Sequence, residues 1–238
     1  MYRLFVLLTL VLIAGISTMT YASARVLKTW RPDFNPLLQP SDIAMRLLVI
    51  LACIGLGYLS GLPFPQLGWT FPNPVLQVGL GLLIGALMAV TIAGVTRWLV
   101  ARTGDRFYSA QIAELLAPQT RREILWVGLA LVPAVLLEEL LFRSLLIGGF
   151  SPILPVYTLL LGGAVLFGLL HTPQGIWGVA GAGIAGLVFG VLFLVAGSLL
   201  LPVVAHYATN LFQLSWLYIQ RRRERTDQTT DASSNVVG

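Results

Sequence analysis

Apolar residues run through this chain in blocks rather than in stripes. Seven stretches, roughly 4–20, 45–62, 75–98, 123–147, 156–172, 176–198 and 200–219, carry few charges. A helix needs about 20 consecutive apolar residues to cross the hydrocarbon core of a bilayer, so each block predicts a membrane span. The predicted fold class is all-α: a polytopic transmembrane helix bundle of about seven spans with a polar intramembrane site. Segment 108–117 is moderately amphipathic and predicts a short interfacial helix. In 176–198, Gly178, Ala182, Gly186 and Gly190 recur every four residues, a small-residue stripe that permits close helix packing. Three regions follow: N-terminal helices with an interfacial segment (1–122), a helical core that holds the polar residues (123–219), and a basic-then-polar tail (220–238) whose composition predicts disorder.

Composition sharpens this picture. The chain has 238 residues, 57% hydrophobic and only 11% charged, against about 25% charged for a soluble domain. The net charge of +5 does not point to nucleic acid, because the basic residues cluster beside apolar spans. They lie in 21–44 (Arg25, Lys28, Arg31), 99–122 (Arg102, Arg106, Arg121, Arg122) and the tail (Arg221, Arg222, Arg223, Arg225). Segments 63–74 and 148–155 hold no charge. Alternating seven spans puts the three basic segments on one side, which the positive-inside rule makes cytoplasmic. That predicts a multi-pass protein of a prokaryotic plasma membrane, N-terminus out and C-terminus in, with anionic lipid at the basic side. The first span has features of a signal peptide, Arg3 and Ala22-Ser23-Ala24. The cations that follow at once (Arg25, Lys28, Arg31, Arg46) favour an uncleaved helix. The only cysteine, Cys53, excludes an intrachain disulfide.

Against this background the polar residues stand out. Glu138 and Glu139 sit inside an apolar helix, with Arg143 one turn on. Each charge at mid-bilayer costs about 2.5–3.5 kcal/mol on insertion scales, which makes such a cluster a functional-site hypothesis. Glu139 and Arg143 are four apart, share a face and can pair. Glu138 is turned about 100° away, without Arg143 as its natural partner, so it is the candidate reactive carboxylate. A carboxylate in an apolar pocket suits a general base near neutral pH. Downstream lie the chain's two histidines, His171 at the end of one span and His206 in another, with Asn210 four residues after His206. Glutamate, two histidines and asparagine can activate water and stabilise an oxyanion.

Glu138-Glu139-x-x-x-Arg143, Phe167-x-x-x-His171 and His206-x-x-x-Asn210 match, in order, three motifs of the CPBP family, and the chain resembles its members. These are the intramembrane endopeptidases of the CAAX-protease, bacteriocin-processing and abortive-infection group. Gly197-Ser198-Leu199 also resembles the family, and the resemblance covers about 123–215. It implies that Glu138 activates water with help from His171, that His206 and Asn210 stabilise the oxyanion, and that Glu139 and Arg143 brace the site. It implies a peptide or membrane-protein substrate. A metal-free mechanism is expected, since no His-Glu-x-x-His motif exists; the alternative is a zinc ion held by Glu138, His171 and His206. The competing functions are a non-catalytic scaffold or bacteriocin-immunity protein and a proton-coupled transporter. No internal repeat favours the last.

One geometric tension remains. At about 1.5 Å per residue, Glu138 lies about 14 Å from the outer boundary, His171 about 22 Å and His206 about 9 Å. That spread is too wide for one water. A tilt, a deeper fifth span or a broken helix near Pro202 is needed to bring the carboxylate and both imidazoles together.

Overall fold

The computed structural model describes residues 1–30 and 32–234; Arg31 and 235–238 lie outside the described residues. Among the described residues there is no strand. The helices are α1 (Tyr2–Thr29), α2 (Pro40–Ser60), α3 (Pro74–Thr103), α4 (Gln111–Leu116), α5 (Arg121–Glu139), α6 (Val156–Leu169), α7 (Gly175–Ala196) and α8 (Leu200–Ser234). The protein is an all-α polytopic bundle.

The helix ends follow local chemistry. Proline, which needs no N–H partner in a first turn, opens α2 and α3. Thr120 caps α5, its Oγ1 accepting from the Glu123 N–H at 3.1 Å. Gly61 and Gly197 follow α2 and α7 at φ 68° and 58°, the left-handed conformation that glycine adopts without strain. The amphipathic segment contributes a helix of six residues, α4.

Five stretches among the described residues are long and apolar enough to cross a membrane: Tyr2–Leu27, Pro40–Ser60, Pro74–Thr103, Arg121–Gly148 and Thr172–Ala196. The other two expected spans differ. Residues 156–172 form a shorter apolar helix, α6, of 14 residues. Residues 200–219 open α8, where His206, Asn210 and Gln213 dilute the apolar run. Helix α8 continues to Ser234, through most of the segment whose composition predicts disorder; Gln220-Arg221-Arg222-Arg223 are good helix formers that extend it.

Helix α5 does not end where its hydrogen-bond pattern changes. It runs on as a π-helix over Leu140–Gly148, and nearly every residue from Leu140 to Phe150 is buried. A helix that is apolar all round has no face to give its register away. π-Helical turns are rare and are found mostly where a helix carries a functional site; here the change of pitch falls directly after Glu138 and Glu139. The charge-free connection 62–73 covers this region. Leu67 is buried within it, the Trp69 indole N–H donates to Ser144 Oγ at 2.9 Å, and the Gly68 carbonyl accepts from the Leu199 N–H at 2.9 Å. Gln77 of α3 accepts from the Leu201 N–H at 3.2 Å and fixes the first turn of α8.

Small residues bring the helices close. A Cβ on Gly85 of α3 would lie 2.5 Å from the Ala205 carbonyl oxygen of α8. One on Gly168 of α6 would lie 2.6 Å from the Val179 carbonyl of α7. The stripe in α7 works as expected at Gly186 and Gly190, which lie against Phe167 and Leu160 of α6.

Candidate active site

Arg143 is 1% exposed and fully engaged. Its Nη1 donates to Glu139 Oε1 at 3.0 Å and its Nη2 to the Gly186 carbonyl at 2.9 Å. Its guanidinium also lies over the rings of Phe167, Phe189 and Phe142, 5.0, 5.5 and 5.8 Å from their centroids. The i,i+4 pair expected from the sequence therefore forms, even though Arg143 lies on the π-helix. A buried pair is stable only when further hydrogen bonds satisfy it, and the Gly186 carbonyl supplies one that residue spacing does not reveal.

Glu139 also serves a second partner. Its Oε1 receives the Nδ1–H of His206 at 2.8 Å. A carboxylate accepts only, so Nδ1 of His206 carries a proton, and Nε2 points away. The imidazole is stacked on Phe189 with centroids 4.6 Å apart and planes at 18°, and Phe167 meets its edge at 5.9 Å. The ring is thus held by a hydrogen bond and two aromatic faces.

Glu138 lies on the other side of the same imidazole. Its Oε2 is 3.7 Å from His206 Nε2, within ion-pair range but beyond a direct hydrogen bond. The helix rotation predicts that the two glutamates face apart. Instead they straddle His206, one on each ring nitrogen. They are still unequal. Glu139 is fully buried, whereas the Glu138 side chain is 39% exposed. The Oε2 of each glutamate is buried with no hydrogen-bond partner among the described residues, but only Glu139 is hydrogen-bonded through its other oxygen.

His171 follows α6, and its Nδ1–H donates to the Phe167 carbonyl at 2.8 Å. Its ring packs on Phe167 at 4.9 Å, so both imidazoles share that phenyl ring, and each has Nδ1 tied and Nε2 free of a direct hydrogen bond. Phe167 is the surface on which both histidines and Arg143 rest. Asn210 is half-buried one turn along α8 from His206, with no side-chain hydrogen bond among the described residues. The expected depth mismatch between Glu138 and His206 is closed.

The zinc alternative finds no support in the donor arrangement. Among the described residues no three of His, Cys, Asp and Glu come together as a metal-holding group. Glu138, His171 and His206 are not assembled as a ligand set among the described residues.

Fold and site together define an integral, multi-pass membrane protein with a buried Glu-Arg-His cluster. Residues 120–212 match the family model of the type II CAAX prenyl endopeptidase Rce1-like proteins. That match agrees with the resemblance carried by the three motifs. The matched segment begins at the Thr120 cap of α5, ends within α8, and contains Glu138, Glu139, Arg143, His171, His206 and Asn210. The family is a peptidase family, which supports a CAAX-protease-type intramembrane endopeptidase. Comparison with curated proteins and with solved structures gave no match.

Proposed function

We propose that the protein is an intramembrane endopeptidase that hydrolyses a peptide bond with water activated by Glu138. The observation that carries this reading is the asymmetry across His206. Both glutamates have a buried Oε2 without a hydrogen bond among the described residues. But Glu139 is tied through Oε1 to Arg143 and His206 and fully buried, while Glu138 makes no hydrogen bond among those residues, is 39% exposed and holds Oε2 3.7 Å from His206 Nε2. A general base must reach its proton through a hydrogen bond or one water, and Glu138 is the carboxylate left free to do so.

In the proposed reaction Glu138 takes a proton from water as the oxygen attacks the scissile carbonyl carbon. His171 Nε2 accepts the water's second hydrogen as a hydrogen bond and orients it. Charge develops on the carbonyl oxygen. Asn210 donates Nδ2–H to it, and doubly protonated His206 donates Nε2–H while keeping Nδ1–H on Glu139. Such preorganised donors act on charge present only in the transition state. The tetrahedral intermediate then collapses, the C–N bond breaks, and Glu138 returns its proton to the leaving nitrogen. Glu139 and Arg143 orient His206 and remain unchanged.

The substrate in this reading is a peptide or membrane-protein segment. The family's name points to prenylated CAAX tails, and a bacterial peptide-processing role is the alternative. The basic connections lie on the cytoplasmic side by the positive-inside rule. The test incubates a synthetic peptide library with purified protein and reads products by mass spectrometry. Wild type cleaves; Glu138→Gln, His171→Ala and His206→Ala each lose most of the activity. Activity unchanged in all three removes the reading. Chelator treatment leaves wild-type activity intact, and its loss on chelation overturns the metal-free step.

A further inference from the structure

Arg46 is the one basic residue of α2, and in the sequence it passes for an orientation charge. Its position says more. It stands four and seven residues before Ile50 and Cys53, on the face that α2 buries. That face packs against α5 and the π-helix that follows it. Arg46 is half-buried, and its Nη1 is shut off from solvent without a hydrogen-bond partner among the described residues. Two acids act on it electrostatically, Asp42 one turn back on α2 and Glu138 on α5. Neither comes within ion-pair distance.

Arg46 and Arg143 therefore differ. Arg143 has a carboxylate, a carbonyl and three rings. Arg46 has a buried donor with no hydrogen bond on it, and the acid it feels on the neighbouring helix is the one glutamate of the site that makes no hydrogen bond among the described residues. A buried donor without a partner is costly. Packing does not require it here, since any apolar residue would fill this face of α2. A guanidinium presents a planar fork that matches a carboxylate with two parallel hydrogen bonds.

We propose that Arg46 is a specificity-determining residue that receives a carboxylate of the substrate close to the scissile bond. This rests on the peptidase reading and extends it to the substrate's chemistry. The carboxylate is either the peptide's C-terminus or an Asp or Glu side chain. Binding it on Arg46 places the neighbouring peptide bond against Glu138 and supplies the missing partner of Nη1.

The experiment uses the full-length protein and three synthetic peptide pools: free C-terminal acids, C-terminal amides, and amides with Asp and Glu replaced by Asn and Gln. Wild type should cleave the first pool at least about tenfold more efficiently than the third, in line with a hydrogen bond between charged groups. The second pool tells which carboxylate is read: it behaves like the first if side chains are read and like the third if the terminus is. Arg46→Gln should abolish the preference through KM, and Arg46→Lys should keep part of it. No preference in wild type overturns the proposal without needing any variant. A preference that survives in Arg46→Gln overturns it, and so does an equal loss for all pools, which would mark Arg46 as electrostatic support for Glu138. If wild type cleaves no pool, the peptidase reading fails and capture on immobilised protein decides the question. Selective retention of the first pool by wild type but not Arg46→Gln sustains the carboxylate site, and equal retention overturns it.

Discussion

The two halves of the polar cluster are built on opposite terms. On one side Arg143, the Gly186 carbonyl, Glu139 Oε1 and His206 Nδ1 are joined by hydrogen bonds in a buried, aromatic-walled space, with Glu139 Oε2 alone left without one. On the other, Glu138 Oε2, His206 Nε2, His171 Nε2, Asn210 and Arg46 Nη1 lack direct hydrogen bonds among the described residues. The polar groups that are satisfied hold the bundle together. Those left unsatisfied are costly to fold, and in the proposed reaction water and substrate supply their partners.

The strongest way to break this comparison is to attack the closed side. Arg143→Met leaves Glu139 as a buried charge with His206 alone, and removal of one partner of a buried pair costs about 3–5 kcal/mol. Thermal unfolding of purified protein should show a large loss of stability; an unchanged melting temperature would mean that the closed side is not structural. Asn210→Ala attacks the open side. It should lower kcat about 10²–10³-fold, the cost of an oxyanion donor, and leave the melting temperature unchanged because Asn210 holds no side-chain hydrogen bond among the described residues. Gly85→Ala lies outside both halves. Its Cβ would meet the Ala205 carbonyl one residue before His206 at 2.5 Å, and a backbone oxygen cannot swing aside. Overpacking there should cost about 1–3 kcal/mol and lower activity by shifting His206. The smallest effect is expected for Trp69→Phe, which keeps an aromatic ring but strips the hydrogen bond from Ser144 beside Arg143. It should cost about 1 kcal/mol in unfolding, with the cleavage specificity unchanged.

These contrasts also separate what can be read from residue order from what cannot. The Glu139–Arg143 pair is local: a spacing of four on a helix is enough to predict it. The membrane helices are legible from block length, and the close crossings of α7 from its small-residue stripe. The bond from His206 to Glu139 joins residues 67 apart, and no periodicity encodes it. The π-helix is hidden because Leu140–Gly148 is almost wholly buried, so no polar face records the change in turn. The role of the 62–73 connection is hidden for the opposite reason. An uncharged, proline-rich segment looks like a simple loop, and only its contacts with Ser144 and Leu199 show that it clamps the site. Arg46 looks like an orientation charge because the site acid that acts on it, Glu138, lies on another helix.

The proposed division of structure from chemistry runs between two neighbouring glutamates. It is tested most directly by measuring peptide cleavage and thermal unfolding side by side for Glu138→Gln and Glu139→Gln. The account predicts that Glu138→Gln loses about 10²–10⁴-fold in kcat, the contribution of a general base, and melts like wild type, while Glu139→Gln melts markedly lower. A Glu138→Gln protein that still cleaves at the wild-type rate, or a Glu139→Gln protein that is fully stable yet inactive, would contradict it.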